Sequence, residues 1–221
     1  EIAGAQLALR PSGALYWPER ALLAVADLHL GRSERMAREG GGLLPPYETR
    51  ATLDRLEAEV TTLAPRIVLC LGDSFDDLEA AAALSETVRA RLDRLAAGRR
   101  WIWLAGNHDP GPVELPGSHL AEARLGPLVF RHVAEPAGLP PEAGEISGHY
   151  HPKACILARG RRLRRACFLL DAQRLILPAF GTYTGGLDAR HPAFDAVLGP
   201  GAVACLIGGA RVLPVARGRL A

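Results

Sequence analysis

The residues with the most chemical content in this chain are carboxylates, an amide and imidazoles placed just after short apolar runs. Val68-Leu69-Cys70-Leu71 ends in Gly72-Asp73-Ser74-Phe75-Asp76-Asp77, so a buried strand delivers three acidic groups behind a glycine at which the backbone can turn sharply. Carboxylates crowded at a strand tip repel one another unless a cation or another partner neutralises them, and strand tips are where open α/β sheets bind ligands. The pattern predicts a metal. It also recurs: Leu22 to Ala26 runs into Asp27-Leu28-His29, Trp101 to Leu104 into Gly106-Asn107-His108-Asp109, and Glu145 to Gly148 into His149-Tyr150-His151.

Taken alone, Asp27-x-His29 reads as a turn or helix cap, and a solitary histidine as a hydrogen-bonded core or surface residue. His149-x-His151 is the more specific pair, since two imidazoles separated by one residue at a strand end can both reach one centre. In this order the motifs resemble the calcineurin-like binuclear metallophosphoesterases, whose pattern is Asp-x-His, Gly-Asp-x-x-Asp, Gly-Asn-His-Asp/Glu, an isolated His, and Gly-His-x-His.

That resemblance implies two divalent metal ions bridged by Asp73, with Asp27, His29 and His151 completing one site and Asn107, His149 and an isolated histidine the other. Such a pair clamps the attacking and leaving oxygens of a phosphoryl displacement and turns water into hydroxide near neutral pH. The isolated histidine is assigned to His132, which ends a strand and precedes the Gly-His-x-His motif. His119, in a loop bounded by Pro and Gly, and His191, beyond all the motifs, read as surface histidines. His108 is implied to be the general acid for the leaving oxygen, oriented and charged by the carboxylate of Asp76. Asp109 is expected to brace its loop, and Asp77 to begin the following helix. Imidazole mixed with carboxylate suits manganese first, with zinc or iron as alternatives, better than calcium.

Asp27-Leu28-His29-Leu30-Gly31, Ala166-Cys167-Phe168 and the run from Leu177 to Gly186 resemble a bacterial subgroup of these enzymes, the phosphoesterases linked to an ATP-dependent DNA ligase and a DEAD/DEAH-box helicase. Members of that subgroup often carry His where this chain has Asp76. The resemblance implies a phosphodiesterase or nuclease serving DNA repair, with DNA as substrate and the ligase and helicase as functional partners. A phosphatase or cyclic-nucleotide phosphodiesterase would use the same centre with a smaller pocket, and a non-catalytic scaffold would be expected to lack the acid or the bridging Asp. Around Gly160, five arginines, Arg159, Arg161, Arg162, Arg164 and Arg165, crowd one hairpin. Arg161, Arg162 and Arg164 are the candidate contacts to a nucleic-acid backbone, against the plain reading of a solvated hairpin tip.

Composition sets the bounds. The 221 residues, 48% of them hydrophobic, suit one metallophosphoesterase domain over 1–221 with a substantial core. A formal net charge of +2 is too small to demand a nucleic-acid partner. Lys153 is the single lysine, so the excess of Arg reflects composition as readily as phosphate binding. The four cysteines, Cys70, Cys155, Cys167 and Cys205, lack any CxxC pair and read as buried free thiols of a reducing compartment. No apolar run approaches the roughly 20 residues of a membrane span, so no membrane partner and a cytoplasmic location are expected. A homodimer is compatible with the sequence.

The elements that must position these residues alternate in the first half. A hairpin (Gln6 to Leu9, Ala14 to Trp17) precedes a strand at Ala21 to Ala26, then a charged stretch from Gly31 to Gly42 read as a mobile loop. A helix follows Pro45-Pro46, with Leu53, Leu56, Val60 and Leu63 on one face, and ends at Pro65. Beyond the Val68 strand a second helix is expected from Leu78 to Ala97, and then a strand at Trp101 to Leu104. From Leu128 onward short strands without helices predict a mainly antiparallel half. Together with the resemblance this gives an α/β, four-layer α/β/β/α sandwich of two mixed sheets flanked by helices, with the metal site at the strand ends.

Overall fold

A computed structural model of the chain describes residues 1–40, 45 and 47–221. Gly41, Gly42 and Pro46, which fall in the expected loop and helix start, lie outside the described residues.

The first sheet begins with the hairpin of β1 (Ala8–Leu9) and β2 (Leu15–Trp17), followed by β3 (Leu22–Val25). After β3 come α1 (Arg32–Arg38) and α2 (Glu48–Leu63), then β4 (Ile67–Cys70), α3 (Leu78–Ala82), α4 (Glu86–Ala96), β5 (Arg100–Leu104) and β6 (Ser118–Leu120). The spatial order is β1-β2-β3-β4-β5-β6, antiparallel through β3 and parallel from β3 to β6, with Leu23 beside Val68 and Val68 beside Trp101. The central strands are apolar throughout because both faces are covered. Val68 and Cys70 face the helices, packing with Leu53, Leu56 and Val60 of α2 and Leu92 and Leu95 of α4, while Leu69 and Leu71 face the second sheet.

Only Ala121 separates β6 from β7 (Glu122–Leu125), where the chain passes to the second sheet. This sheet continues through β8 (Leu128–Arg131), β9 (Gly144–Ser147), β10 (Lys153–Ala158), β11 (Arg161–Leu170), β12 (Arg174–Ile176), β13 (Val203–Gly208) and β14 (Arg211–Ala216). Its order is β14-β13-β11-β12-β9-β8-β7, with β10 paired to β11; β9 runs parallel to both β8 and β12, and the remaining pairs are antiparallel. Leu128, Phe130, Ile146, Phe168 and Leu175 meet the inner face of the first sheet, forming the core between the two. The outer face is closed by Phe194, Val197 and Leu198, from the 3₁₀ turn Pro192–Ala196 and the residues after it. Two mixed sheets flanked by helices are thus the architecture, with the last helical layer reduced to that turn.

Three expectations need correction. The helix from Leu78 to Ala97 is two helices, because Asp77 caps α3 through the Ala80 amide and Ser85 starts α4 afresh by accepting from the Val88 amide. Arg89 then takes the Ala81, Ala82 and Leu84 carbonyls left open at the break. Within the charged stretch after Gly31, Arg32–Arg38 form a helix, α1, rather than a loop, and its arginines reach carboxylates beyond the next strand. His119 lies in β6, opposite Trp103, rather than in a loop.

Candidate metal centre

Three neighbouring parallel strands of the first sheet and two of the second end at one place. β3 leads to Asp27 and His29, β4 to Asp73, and β5 to Asn107 and His108, while β8 leads to His132 and β9 to His149 and His151. The turns are tight. Asp27, His29, Asp73, His149 and His151 all have left-handed backbones, with φ of 55°, 46°, 45°, 70° and 46°. Residues with a Cβ rarely adopt that region, and where they do so in a cluster the surrounding structure must hold them there. Here the His29 amide donates to the Asp73 carbonyl at 3.0 Å, the Gly148 amide to the His132 carbonyl at 2.9 Å, and the His149 amide to the Asp27 carboxylate at 2.9 Å.

The side-chain atoms converge as lone-pair donors. His132 Nδ1 lies 2.8 Å from the Leu71 carbonyl, so its proton belongs there and Nε2 carries a lone pair. That Nε2 faces Asn107 Oδ1 at 2.9 Å, His149 Nδ1 at 3.2 Å and Asp73 Oδ2 at 3.3 Å. Beside it, His29 Nε2 and His151 Nε2 are 3.4 Å apart, and His151 Nε2 is 3.3 Å from Asp27 Oδ1. So many potential acceptors facing one another in a partly buried site favour a cation among them. Asp27, His29 and His151 form one group able to hold a metal ion, Asp73, His132 and His149 another, and His29, Asp73 and His108 a third, the atoms in each lying within 4.8 Å of one another. Asp73 joins the second and third groups and His29 the first and third, so the donors form one continuous cluster. Nitrogen and carboxylate donors in this arrangement fit the divalent cations expected from the sequence.

Burial works to raise the carboxyl of Asp73, but the hydrogen bond and charge that His132 supplies when its Nε2 is protonated, with the amide of His108, outweigh it and bring its pKa down to about 2; a cation at that Nε2 would take the proton's place. Asp109 behaves oppositely. Burial, with the charge of Asp73, raises it to about 6 in spite of the amides that its carboxylate accepts from Asp73, Ser74 and Phe75. With Gly106 N as a further donor, Asp109 ties the β4 and β5 loops together.

The carboxylate of Asp76 does not orient His108. Its Oδ1 lies 2.8 Å from His29 Nδ1 and 3.0 Å from Arg32 Nη1, and its Oδ2 lies 2.5 Å from Arg35 Nε. The physical reason is α1, which lays two guanidinium groups over this carboxylate and draws it to the His29 side. Burial acts to raise the Asp76 carboxyl, yet the bonds from His29 and Arg35 and the charge of Arg32 hold it well below the usual carboxylate range. His108 is placed by the main chain instead, with Nδ1 2.9 Å from the Asp76 carbonyl and its amide 2.9 Å from Asp73 Oδ1. Arg32 and Arg35 were missed by the sequence reading. Their spacing of three residues, which puts both on one helical face, was the available signal.

The arginine-rich hairpin is a two-stranded arm. Arg159 and Gly160 form its turn with φ of 50° and 73°, and Arg161 to Ala166 pair only with β10, whereas Cys167 to Leu170 enter the sheet beside β13. Alternation along a strand puts Arg162 and Arg164 on one face and Arg161 and Arg165 on the other. Arg161 therefore leaves the arm on the face opposite Arg162 and Arg164, and among the described residues none of the three hydrogen-bonds a metal-ligand candidate. Gly181 and Gly186, in the run from Leu177 to Gly186, pack closely against the site. A Cβ at Gly181 would come within 2.3 Å of the Leu28 carbonyl, and one at Gly186 within 2.0 Å of the His151 carbonyl, so this loop packs its bare backbone against two of the metal-site turns.

The four cysteines are free and buried, and no helix among the described residues is long and apolar enough to cross a membrane. A family model described as calcineurin-like phosphoesterase matches residues 21–161. No curated protein matches the chain. Among solved structures, the nuclease MPE of Pseudomonas putida is 30% identical over 97% of this chain and 98% of that one, with a TM-score of 0.73. Yfce, a phosphoesterase from E. coli, is 13% identical over 88% of this chain and 98% of its own, with a TM-score of 0.44.

Proposed function

The chain belongs to the calcineurin-like phosphoesterase family, and from that premise we propose that it is a two-metal phosphodiesterase that cuts DNA. The observation that carries the chemistry is the convergence of lone-pair atoms around His132 Nε2 and His151 Nε2, with Asp73 shared by the donor groups of His132 and of His29. Asp27, His29, Asp73, Asn107, His132, His149 and His151 are the proposed ligands. Two divalent cations, manganese in this proposal, supply charge to the phosphoryl oxygens and lower the pKa of water when bound.

The chain's own residues supply the rest. Asp76, backed by Arg32 and Arg35, fixes the ring of His29 and strengthens its Nε2 as a donor. His108 donates its Nδ1–H to the Asp76 carbonyl, so it is the imidazolium form of the ring that can give a proton from Nε2 to the departing oxygen. Its amide on Asp73 keeps the ring beside the shared carboxylate. DNA as the substrate is supported by the likeness, over nearly the whole chain, to a protein named as a nuclease. The subgroup motifs extend the proposal to DNA repair alongside an ATP-dependent DNA ligase and a DEAD/DEAH-box helicase.

The test is to strip the protein of metal and restore it with Mn, Zn, Fe or Mg. Each form is then assayed on an aryl phosphodiester, an aryl phosphomonoester, 2',3'-cyclic nucleotides, and labelled single-stranded and duplex DNA. Manganese is expected to restore cleavage of the diester and of DNA above that of the monoester. A fully loaded protein that hydrolyses small esters and ignores every DNA would defeat the nuclease reading, and one that hydrolyses nothing would defeat the enzymatic one.

A further inference from the structure

Four cationic side chains come together beside the metal centre with no anion among them. Arg55 of α2, Lys153 of β10, and Arg164 and Arg165 of β11 line a cavity of about 430 Å³ whose wall also includes Gly181 and Thr184 and holds no carboxylate. Among the described residues none of these four has a carboxylate oxygen within 4.0 Å, whereas Arg10, Arg32, Arg35, Arg91, Arg131 and Arg174 all do. Their bonds go to neutral carbonyl oxygens. Lys153 Nζ donates to Thr184 at 2.7 Å, Arg164 Nη2 to Gly186 at 2.8 Å, and Arg55 to Phe180, over whose ring its guanidinium also lies, while Arg165, which leaves β11 on the opposite face from Arg164, returns its Nη1 to the Arg164 carbonyl at 3.0 Å. The nearby Asp188 carboxylate feels the charge of Arg164, but it is bonded to Arg190.

Carbonyl bonds fix these cations in place without cancelling their charge. Fixed guanidinium and ammonium donors facing one cavity suit a tetrahedral oxyanion, which accepts from several of them at once. The cavity also adjoins the metal site. Lys153 follows His151 by two residues, so their Cα atoms are at most about 7 Å apart. The same Gly181 that lines the cavity donates its amide to the Asp27 carbonyl at 3.0 Å.

We propose that this cavity holds a phosphate of the nucleic-acid strand other than the one being cut, so that the strand runs from the metal centre past Asp27 and His151 into the basic pocket. The inference rests on the phosphodiesterase reading above. It divides the arginine arm by function: Arg164 and Arg165 at its base bind the strand, while Arg161 and Arg162, which do not line the cavity, are solvated.

A test uses the Lys153→Gln, Arg165→Gln double variant, which leaves Arg55 on Phe180, with Arg161→Gln, Arg162→Gln as the comparison. Manganese-loaded proteins are assayed on a small aryl phosphodiester and on oligonucleotides carrying one neutral methylphosphonate at successive positions. In the first variant kcat/KM on DNA should fall roughly 10- to 100-fold, through KM, and by at least tenfold more than on the small diester. One neutral linkage that costs the wild type affinity should cost this variant nothing, and the salt slope of binding should flatten by about one unit. The comparison variant should keep the wild-type response at that linkage. Equal responses of wild type and first variant at every linkage, with an unchanged slope, would overturn the pocket while leaving the nuclease reading intact. If wild type cleaves the small diester yet neither binds nor cuts DNA, the nuclease reading has failed and the strand assignment fails with it. Binding of inorganic phosphate that is lost in the first variant, with DNA behaving alike in both, would make the cavity a free-phosphate site and overturn the strand.

Discussion

Asp76 Oδ1 lies 2.8 Å from His29 Nδ1, although the sequence pattern assigned that carboxylate to His108. The Asp76→Asn variant should therefore act on metal binding first. Its affinity for the first cation is expected to drop about 10- to 100-fold, the usual cost of removing a group that orients a ligand, while His108 keeps its bond to the main-chain oxygen. Metal titration of stripped protein checks this. Wild-type affinity combined with slow turnover would return Asp76 to the acid.

Asp73 is shared between donor groups, and its loss should be felt at both metal positions. Asp73→Asn is expected to lower the bound-metal stoichiometry and abolish hydrolysis of an aryl phosphodiester. Two metals retained per chain with near-normal activity would rule out a bridging role.

His108→Asn should keep both metals and slow turnover by about 10²- to 10⁴-fold, the range for losing a general acid. The loss should shrink for an aryl leaving group that departs without a proton. A loss of equal size for good and poor leaving groups, or metals departing with the imidazole, would remove His108 from that role.

His132 and His119 supply a paired test. His132 Nε2 faces Asn107, His149 and Asp73, whereas His119 sits on β6 outside the donor groups. His132→Ala should weaken the second cation measurably in metal titration, and His119→Ala should leave it unchanged. The reverse outcome would transfer the assignment.

A stability prediction comes from the end of α2. Ala64 closes that helix with a left-handed backbone, φ 44° and ψ 53°, and is followed by Pro65, which further restricts it. An L-residue there costs roughly 1–2 kcal/mol, against about 0.4–1 kcal/mol of extra unfolded-state freedom for glycine. Ala64→Gly should raise Tm by about 1–4 °C. An unchanged or lower Tm in a thermal melt would show that the strain is relieved elsewhere.

The metal-site candidates were legible because each follows an apolar strand and differs sharply from it in chemistry. Val68 to Leu71 can only be buried, and Gly72-Asp73 after it can only turn. α1 was not legible. Its sequence, Arg32-Ser33-Glu34-Arg35-Met36-Ala37-Arg38, carries no apolar stripe, and it is held by long-range ion pairs to Asp76, Asp77 and Glu79. The partner of the Asp76 carboxylate depends on that helix and was hidden with it. β6 and β7 escaped for a related reason: Ser118-His119-Leu120 and Glu122-Ala123-Arg124-Leu125 are edge strands, where half-exposed polar residues blur the alternation.

The proposed ligands come from both sheets: Asp27, His29, Asp73 and Asn107 from the first, His132, His149 and His151 from the second. A cation bound by both is a rivet through the interface between them, and its binding free energy becomes part of the free energy of folding. Free cation at a hundredfold above its dissociation constant would add about 2.7 kcal/mol to stability, a sizeable share of the roughly 5–15 kcal/mol that holds a domain together. For such a molecule a chelator would lower the melting temperature without unfolding the chain, and the medium's supply of metal would help set the temperature at which the two sheets part.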